Sequence, residues 1–195
     1  MNSVYMKIIG CMQVGGNCSW ILDSSLTNMS EIVDEIVLVG GSVSDDSKKI
    51  IARCNKVVET NFYSANQSRI EWNDMNSLLR MAKNHDADWI LFMDADETFE
   101  PRFKATIRDH INNPDAGMYK FRRYWLWNTA EQYRVDRPEK FSSLAYNSYL
   151  VRSTSALHFP NPAGTLWKRL IKHCNITIQK EMMKLRRNSK SEISR

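Results

Sequence analysis

Four predicted strands alternate with stretches of helical spacing in the first hundred residues of this 195-residue sequence. Three are apolar runs, at 5–14, 35–39 and 89–93, of which the last, WILFM, is the most apolar; the fourth is the brief segment KVVE at 56–59. Helices are predicted between them, over roughly 19–29, 45–54 and 68–83. Strands that alternate with helices form parallel sheets through right-handed crossovers, so this order predicts an α/β fold with a mostly parallel sheet.

The pattern becomes less regular after Pro101. We predict a helix over 102–111, a strand-like aromatic run over 118–127, a strand over 145–151 and a helical, increasingly basic stretch over 165–187. The length is that of one domain of ~100–200 residues, and no repeat or low-complexity linker divides it. We therefore predict a single domain in three parts: 1–100, 101–167 and a basic tail, 168–195.

Composition and charge narrow the class of protein. A hydrophobic fraction of 43% excludes a disordered chain. Residues 1–100 carry 8 Lys/Arg and 15 Asp/Glu, whereas residues 101–195 carry 19 Lys/Arg and 7 Asp/Glu, so the first half is acidic and the second half basic.

The four cysteines form no C-x-x-C pair, which argues against a zinc site or a disulfide framework. No signal-peptide pattern and no run of ~18 apolar residues is present, so the sequence predicts a cytoplasmic protein.

The strongest chemical signal is the acidic segment Asp94-Ala95-Asp96-Glu97, which directly follows WILFM. In open α/β sheets, ligands bind beyond the carboxyl ends of the parallel strands, which is where this segment lies. Strand alternation is expected to aim Asp94 and Asp96 the same way. Two carboxylates on one loop are suited to bind Mg²⁺ or Mn²⁺ together with substrate phosphates. The alternative interpretation is that the segment is a turn before the next helix, with its acids in solvent near the positive end of that helix.

The run from Ile32 to Glu100 resembles the nucleotide-sugar-binding half of family 2 glycosyltransferases, which have the GT-A fold. The matching pieces are VDEIVLVGGSVSDDS, NSLLRMAKNHDADW and ILFMDADETFEP, in the family's order and spacing. The resemblance implies a Rossmann-like, mostly parallel sheet flanked by helices, with a less regular acceptor-side second half. It also implies metal-dependent, inverting transfer of a sugar from a nucleotide-diphosphate donor, UDP-sugars being favoured. The implied acceptor is a hydroxyl of a glycan or a lipid-linked molecule.

The resemblance assigns site residues at matching positions. Asp94 is expected near the donor ribose and at the metal, and Asp96 is expected to bind the Mn²⁺ or Mg²⁺ ion that bridges the diphosphate. Asn76 falls where the family has an Asn on the preceding helix. GT-A enzymes commonly use a late histidine as a further metal ligand, and His158 is our prediction for it.

Two positions depart from the family pattern. The loop after EIVLV usually begins with an Asp that helps to hold the base, whereas Gly40 and Gly41 occupy that place and are predicted to contact the donor there. The residue before the helix Asn is often Arg, whereas here it is Met75. Arg69, earlier on the same predicted helix, is expected to compensate for it.

A carboxylate base is required to take the proton from the acceptor hydroxyl. Two candidates lie downstream of the acidic segment, Asp136 and Glu131. Asp136 is slightly favoured, because Arg134 and Arg137 flank it and favour its ionised form. A surface ion pair is an equally good reading of either residue alone.

The aromatic run contains Tyr119, Phe121, Tyr124, Trp125 and Trp127. We predict that one face of this run packs into the core. One or two of Tyr124, Trp125 and Trp127 are expected to line the site and to hold a sugar ring.

The basic tail, 168–195, is compatible with more than one role. Residues 168–195 hold 9 basic and 2 acidic residues, which suits either peripheral contact with an anionic membrane or a solvated terminus.

No nucleic-acid-binding motif is visible, so no nucleic-acid partner is predicted. The main alternative is a non-catalytic protein that binds nucleotide sugars or polyanions, that is, a degenerate transferase. A nucleotidyltransferase fits less well, because MQVGGN lacks the Lys or Arg of a phosphate loop.

Overall fold

The computed structural model describes residues 5–64, 71–121, 124, 126–127, 129–133 and 149–159, with the backbone alone for 71, 126–127 and 129–133. Its strands and helices belong to one compact unit, Met1–His158, and Phe159–Arg195 form a second. The elements are β1 (Ile8–Gly15), α1 (Ser19–Ser30), β2 (Glu35–Gly41), α2 (Asp45–Arg53), β3 (Val57–Tyr63), α3 (Glu71–Asn84), β4 (Trp89–Asp94), α4 (Pro101–Ile111), β5 (Met118–Lys120), β6 (Leu126–Trp127), β7 (Thr129–Tyr133) and β8 (Tyr149–Arg152).

Six of these strands form one sheet in the order β3-β2-β1-β4-β8-β5. The four strands from β3 to β4 are parallel, whereas β8 is antiparallel to both of its neighbours. The chain runs outward from β1 through β2 to β3, and then returns to the other side of β1 to form β4. The strand order therefore reverses between β1 and β4, and the predicted α/β fold with a mostly parallel sheet is confirmed. The strands β6 and β7 pair separately.

Alternate side chains of each central strand are buried on opposite faces of the sheet, as the period of two requires. On one face, α1 and α4 contribute Leu22, Met29 and Phe103 to a core that also contains Met12 and Leu91 of the sheet. On the other face, α3 packs against β1 and β2 through residues that include Leu78 and Leu79. Because helices cover both faces, the central strands are continuous apolar runs rather than alternating ones.

Local sequence signals set most of the element boundaries. Ser44 caps α2 by accepting a hydrogen bond from the Ser47 amide at 3.3 Å, and Pro101 begins α4 at a position where a missing N–H costs nothing. The edge strand β3 continues to Tyr63, beyond the predicted stop at Glu59. It has a neighbour on one side only, and Val58, Thr60 and Asn61 are its exposed residues.

The prediction of one strand-like run over 118–127 is wrong. The structure divides it into β5, which joins the main sheet, and β6, which pairs with β7. Among the residues that the structure describes, no helix has both the length and the apolar content needed to cross a bilayer.

Candidate donor and metal site

A cavity of about 580 Å³ opens at the carboxyl ends of β1 and β4, where the strand order reverses. We call it the edge cavity. Its lining comes from the end of β1, the start of α1 and the end of β4: Gln13, Gly15, Cys18, Trp20, Ile21, Asp94, Ala95 and Asp96. Gln13 and Asp94 are directly opposed in the β1–β4 register. A crevice at this reversal is the general ligand-binding position of open α/β sheets, and the predicted acidic segment lies in it.

The acidic segment forms a tight turn, Asp94–Glu97, which we call the acidic turn. The Glu97 amide donates to the Asp94 carbonyl at 3.1 Å, and the Glu97 carboxylate accepts from the Asp94 amide at 3.2 Å. Both Asp94 and Asp96 are exposed and line the edge cavity. The prediction that strand alternation aims Asp94 and Asp96 the same way is wrong, because the strand ends at Asp94. The turn brings the two carboxylates to one cavity.

The described lining of the edge cavity carries negative charge. This described lining includes two carboxylates and no Lys, Arg or His side chain. A diphosphate entering beside Asp94 and Asp96 would meet like charges, which costs free energy unless a cation lies between them. Exposed carboxylates on a turn are the oxygen donors that Mg²⁺ and Mn²⁺ take together with phosphate oxygens. The two carboxylates therefore suit a divalent ion whose coordination is completed by phosphate oxygens of the substrate.

Asn28, on α1, holds the segment that follows the acidic turn through two hydrogen bonds to Phe99. Its side-chain Nδ2 donates to the Phe99 carbonyl at 2.9 Å, and the Phe99 amide donates to its Oδ1 at 2.8 Å. The ring of Phe99 stacks on Phe103 with centroids 4.3 Å apart. Sequence reasoning did not find this contact, because the two residues are 71 positions apart and an Asn within a helix looks solvent-facing.

Replacing Asn28 by Ala is expected to destabilise the fold by ~2 kcal/mol, because two part-buried backbone groups lose their partners. Chemical denaturation of the two proteins measures this difference. Thr27→Ala is the matched control: it lies on the same helix, and its exposed side chain should be replaceable without a measurable change. Equal stability of Asn28→Ala and the parent chain would show that the paired hydrogen bonds do not hold the loop.

The loops after β1 and β2 are joined to each other beside the edge cavity. The Gly16 amide donates to the Gly41 carbonyl at 3.2 Å, and the Ser44 amide donates to the Gly16 carbonyl at 3.1 Å. Gly16 has φ +59°, a left-handed conformation that favours glycine. A Cβ at Gly40 would lie 1.8 Å from the Val14 carbonyl oxygen, so the close approach of the two strands excludes a side chain there.

Gly41 is also constrained. A Cβ at this position would lie 2.5 Å from the ring of Tyr63, whose hydroxyl donates to the Asp74 carboxylate at 2.9 Å. Gly41 pairs with Gly15, a residue of the cavity lining. Gly40 and Gly41 thus lie at the same sheet edge as the acidic turn. Their contact with a donor stays a prediction.

Two residues on the helix predicted before β4, Asn76 and Arg69, are expected to contact the donor. Asn76 is half-buried on α3, and its side-chain amide donates to the Trp72 carbonyl one turn earlier at 2.9 Å. It does not line the edge cavity. Arg69 lies outside the described residues. The role of both residues toward a donor stays a prediction.

The structure does not bring His158 to the acidic turn. Because β8 runs antiparallel to β4, Arg152 at its end pairs with Trp89 at the start of β4. The chain then continues to Leu157, whose carbonyl accepts from Lys83 near the end of α3 at 2.9 Å. His158 therefore lies at the amino edge of the parallel strands and Asp96 at the carboxyl edge. The prediction that they share one metal ion is corrected on this ground. In the described part of the chain, no group of three or more His, Cys, Asp or Glu side chains could hold a metal by itself.

The predicted acceptor side is described only in part. Glu131 lies on β7, where the backbone alone is described, and Asp136 lies outside the described residues. Trp125 lies outside them as well, and Tyr124 is exposed. The packing expected of the aromatic run is confirmed for Tyr119 and Phe121, which pack against the core; the ring centroids of Tyr119 and Trp89 are 6.0 Å apart.

The Phe121 contacts are with the loop and helix that follow the acidic turn. Its ring meets Phe99 at 5.0 Å and Phe103 at 4.6 Å, edge to face in both cases. These three rings pack against the main core. Phe121 therefore packs against the segment that directly follows the acidic turn.

Two solved structures share this architecture at a TM-score of 0.51. One is mannosyl-3-phosphoglycerate synthase from Rubrobacter xylanophilus, 13% identical, with 76% of this chain and 53% of that chain covered. The other is S. aureus TarS 1–349 in complex with UDP, 14% identical, with 76% of this chain and 47% of that chain covered. Both are glycosyltransferases of the GT-A type. The chain has the GT-A fold.

The GT-A assignment is one of fold, since the sequence identities are low. A mannosyltransferase, PcManGT from Pyrobaculum calidifontis in complex with GDP-Man and Mn²⁺, is also similar, with TM-score 0.48 and 18% identity over 61% of this chain and 36% of that chain. The chain spans between about a third and about half of the length of these three structures. No family model matches the sequence, and no curated protein matches it.

Proposed function

We propose that this chain is a metal-dependent glycosyltransferase that moves a sugar from a nucleotide-diphosphate donor to an acceptor hydroxyl. The acidic turn carries the proposal, because Asp94 and Asp96 line a cavity at the strand-order reversal of a GT-A sheet. A structure with this fold holds UDP, which supports a nucleotide-sugar donor and makes UDP-sugars the first to test. The acceptor class we propose is a glycan or a lipid-linked hydroxyl compound.

Asp96, with Asp94, is the residue pair that would hold Mn²⁺ or Mg²⁺. When bound, the ion supplies positive charge that neutralises the diphosphate leaving group. Asp94 and Asp96 are already exposed toward the cavity, so no rearrangement of the core is needed to use them. The Glu97 carboxylate accepts a hydrogen bond from the backbone amide of Asp94. We therefore assign Glu97 the role of stabilising the turn and not that of a metal ligand.

Transfer with inversion also needs a base on the acceptor side. Asp136 and Glu131 remain our candidates. Each follows the acidic turn in sequence, and Arg134 and Arg137 flank Asp136. A base within hydrogen-bond reach of the acceptor hydroxyl takes its proton as the hydroxyl oxygen attacks the anomeric carbon. The bond from that carbon to the diphosphate breaks in the same displacement, and the nucleoside diphosphate leaves with the electron pair.

The test is a thermal-shift screen of UDP-, GDP-, dTDP- and CMP-sugars, each with Mn²⁺ and with excess chelator. We expect one nucleotide class to raise the unfolding midpoint only when the metal is present, since a ligand that binds the native state alone stabilises it. Stabilisation by a nucleotide in chelator would contradict metal dependence. Metal-dependent binding without transfer to any acceptor in a broad panel would instead favour the non-catalytic binding protein.

A further inference from the structure

Trp20 is an exposed aromatic residue that lies outside the core and lines the edge cavity. Its side chain is 79% exposed, the highest value among the large hydrophobic residues that the structure describes. It occupies the first turn of α1 and lines the edge cavity together with Ile21 and Asp96. An exposed aromatic ring is unremarkable when it stands alone on a surface, but this one forms a wall of a cavity that also contains carboxylates.

The packing of α1 does not require a tryptophan at this position. The helix buries Leu22, Ser25, Leu26 and Met29, a stripe with the spacing of one helix face. Trp20 precedes that stripe, and its ring contributes nothing to the main core. Removing the ring should therefore leave the fold intact, so a functional role for Trp20 can be separated from a structural one.

The chemistry of the cavity wall selects a class of ligand. Trp20 and Ile21 give an apolar surface, while Gln13, Asp94 and Asp96 give amide and carboxylate groups. A pyranose ring matches both, because its C–H face packs on an aromatic ring and its hydroxyls bond to carboxylates and amides. An anionic group would be disfavoured against the same carboxylates without a cation.

We propose that Trp20 is the platform on which a neutral pyranose ring of the substrate stacks, with ring hydroxyls directed toward the acidic turn. The inference rests on the proposed function in one respect, namely that the natural ligand contains a sugar. That ring can belong to the donor, as the sugar to be transferred, or to the acceptor glycan. A donor sugar and an acceptor sugar would make the same stacking contact. The experiment distinguishes them by whether UDP-hexoses or neutral oligosaccharides lose affinity when Trp20 is replaced.

The experiment measures binding to the full 195-residue chain by titration calorimetry with Mn²⁺ present. The probes are UDP, a panel of UDP-hexoses and a panel of neutral oligosaccharides. Trp20→Ala is expected to weaken the sugar-containing probes that bind by roughly 10-fold, in keeping with the value of an aromatic contact, and to leave UDP unchanged. Trp20→Phe should restore most of the loss. Ser24→Ala, on an exposed position of the same helix that does not line the cavity, is the control and should bind like the parent chain.

The outcomes separate the two proposals. A loss confined to UDP-hexoses identifies the donor sugar, and a loss confined to oligosaccharides identifies the acceptor. Parent-like binding of every sugar by Trp20→Ala overturns the inference, and so does a parent chain that binds no sugar probe. Failure of UDP and all UDP-hexoses to bind excludes a UDP-sugar as the donor, failure of all four nucleotide classes in the thermal-shift screen overturns the proposed function, and the oligosaccharide comparison decides the role of Trp20 in either case. An unchanged unfolding midpoint of each variant is required for these readings.

Discussion

Replacing Asp96 by Asn is expected to lower sugar transfer by roughly 1,000-fold, because loss of several kcal/mol of charge stabilisation costs a factor of ten per ~1.4 kcal/mol. The amide keeps the size of the side chain but removes the negative charge that would hold a divalent ion. Asp96 is exposed, and the hydrogen bonds that close the acidic turn come from Asp94 and Glu97. The variant should therefore fold like the parent chain. Initial rates at saturating donor and increasing Mn²⁺ measure the effect.

Glu100→Gln provides the matched control for this prediction. Glu100 is an exposed acid in the same loop, it precedes α4 without capping it through its side chain, and it does not line the edge cavity. It should retain full activity and the same Mn²⁺ dependence. Full activity of Asp96→Asn, or of the parent chain in excess chelator, would exclude the metal assignment.

The first half of the fold was predictable because its signals are local. The runs EIVLV and WILFM are long enough and apolar enough to identify strands that are buried on both faces. The strand–helix alternation then limits the connections to right-handed crossovers. With β4 assigned, the position of Asp94 and Asp96 at the carboxyl edge followed from strand direction alone.

The remaining site features depend on contacts that local patterns do not encode. His158 was assigned by its place late in the chain, but the antiparallel direction of β8 carries it to the opposite edge from Asp96. Strand direction in that region is set by pairing with β4 and β5, which are distant in sequence. The hydrogen bonds between Asn28 and Phe99 are of the same kind. Helical spacing predicted α1 but gave no sign that Trp20 lines a cavity.

Gly40 and Gly41, at the end of β2, show a second reason why the sequence alone did not predict the whole site. Gly40 and Gly41 stand where the resembling family has an acid, and from sequence alone this departure concerns donor binding only. The structure gives an additional cause, because the Val14 carbonyl and the Tyr63 ring occupy the space that side chains would need. Steric exclusion and donor recognition therefore act on the same short segment. A substitution there has to be judged first by its effect on folding.

Gly40→Ala is accordingly expected to destabilise the protein by about 3 kcal/mol, the upper part of the range for overpacking a core. The added Cβ would lie 1.8 Å from the carbonyl oxygen and 2.8 Å from the carbonyl carbon of Val14. These are backbone atoms of a central strand, so relief requires β1 and β2 to separate, with loss of their ladder hydrogen bonds. Urea denaturation followed by circular dichroism measures the change.

Two glycines of β1, Gly10 and Gly15, form a graded control series for Gly40→Ala. At Gly10 the new Cβ would lie 2.6 Å from the sulfur of Met29, a flexible side chain that can shift, so Gly10→Ala should cost about 1 kcal/mol. At Gly15 the nearest atom would be 3.9 Å away, and Gly15→Ala should be neutral or slightly stabilising, since alanine reduces the freedom of the unfolded chain. The expected order of unfolding midpoints is thus Gly15→Ala, Gly10→Ala, Gly40→Ala, from highest to lowest. A Gly40→Ala protein as stable as Gly15→Ala would mean that the two strands are farther apart at Val14 than the structure places them.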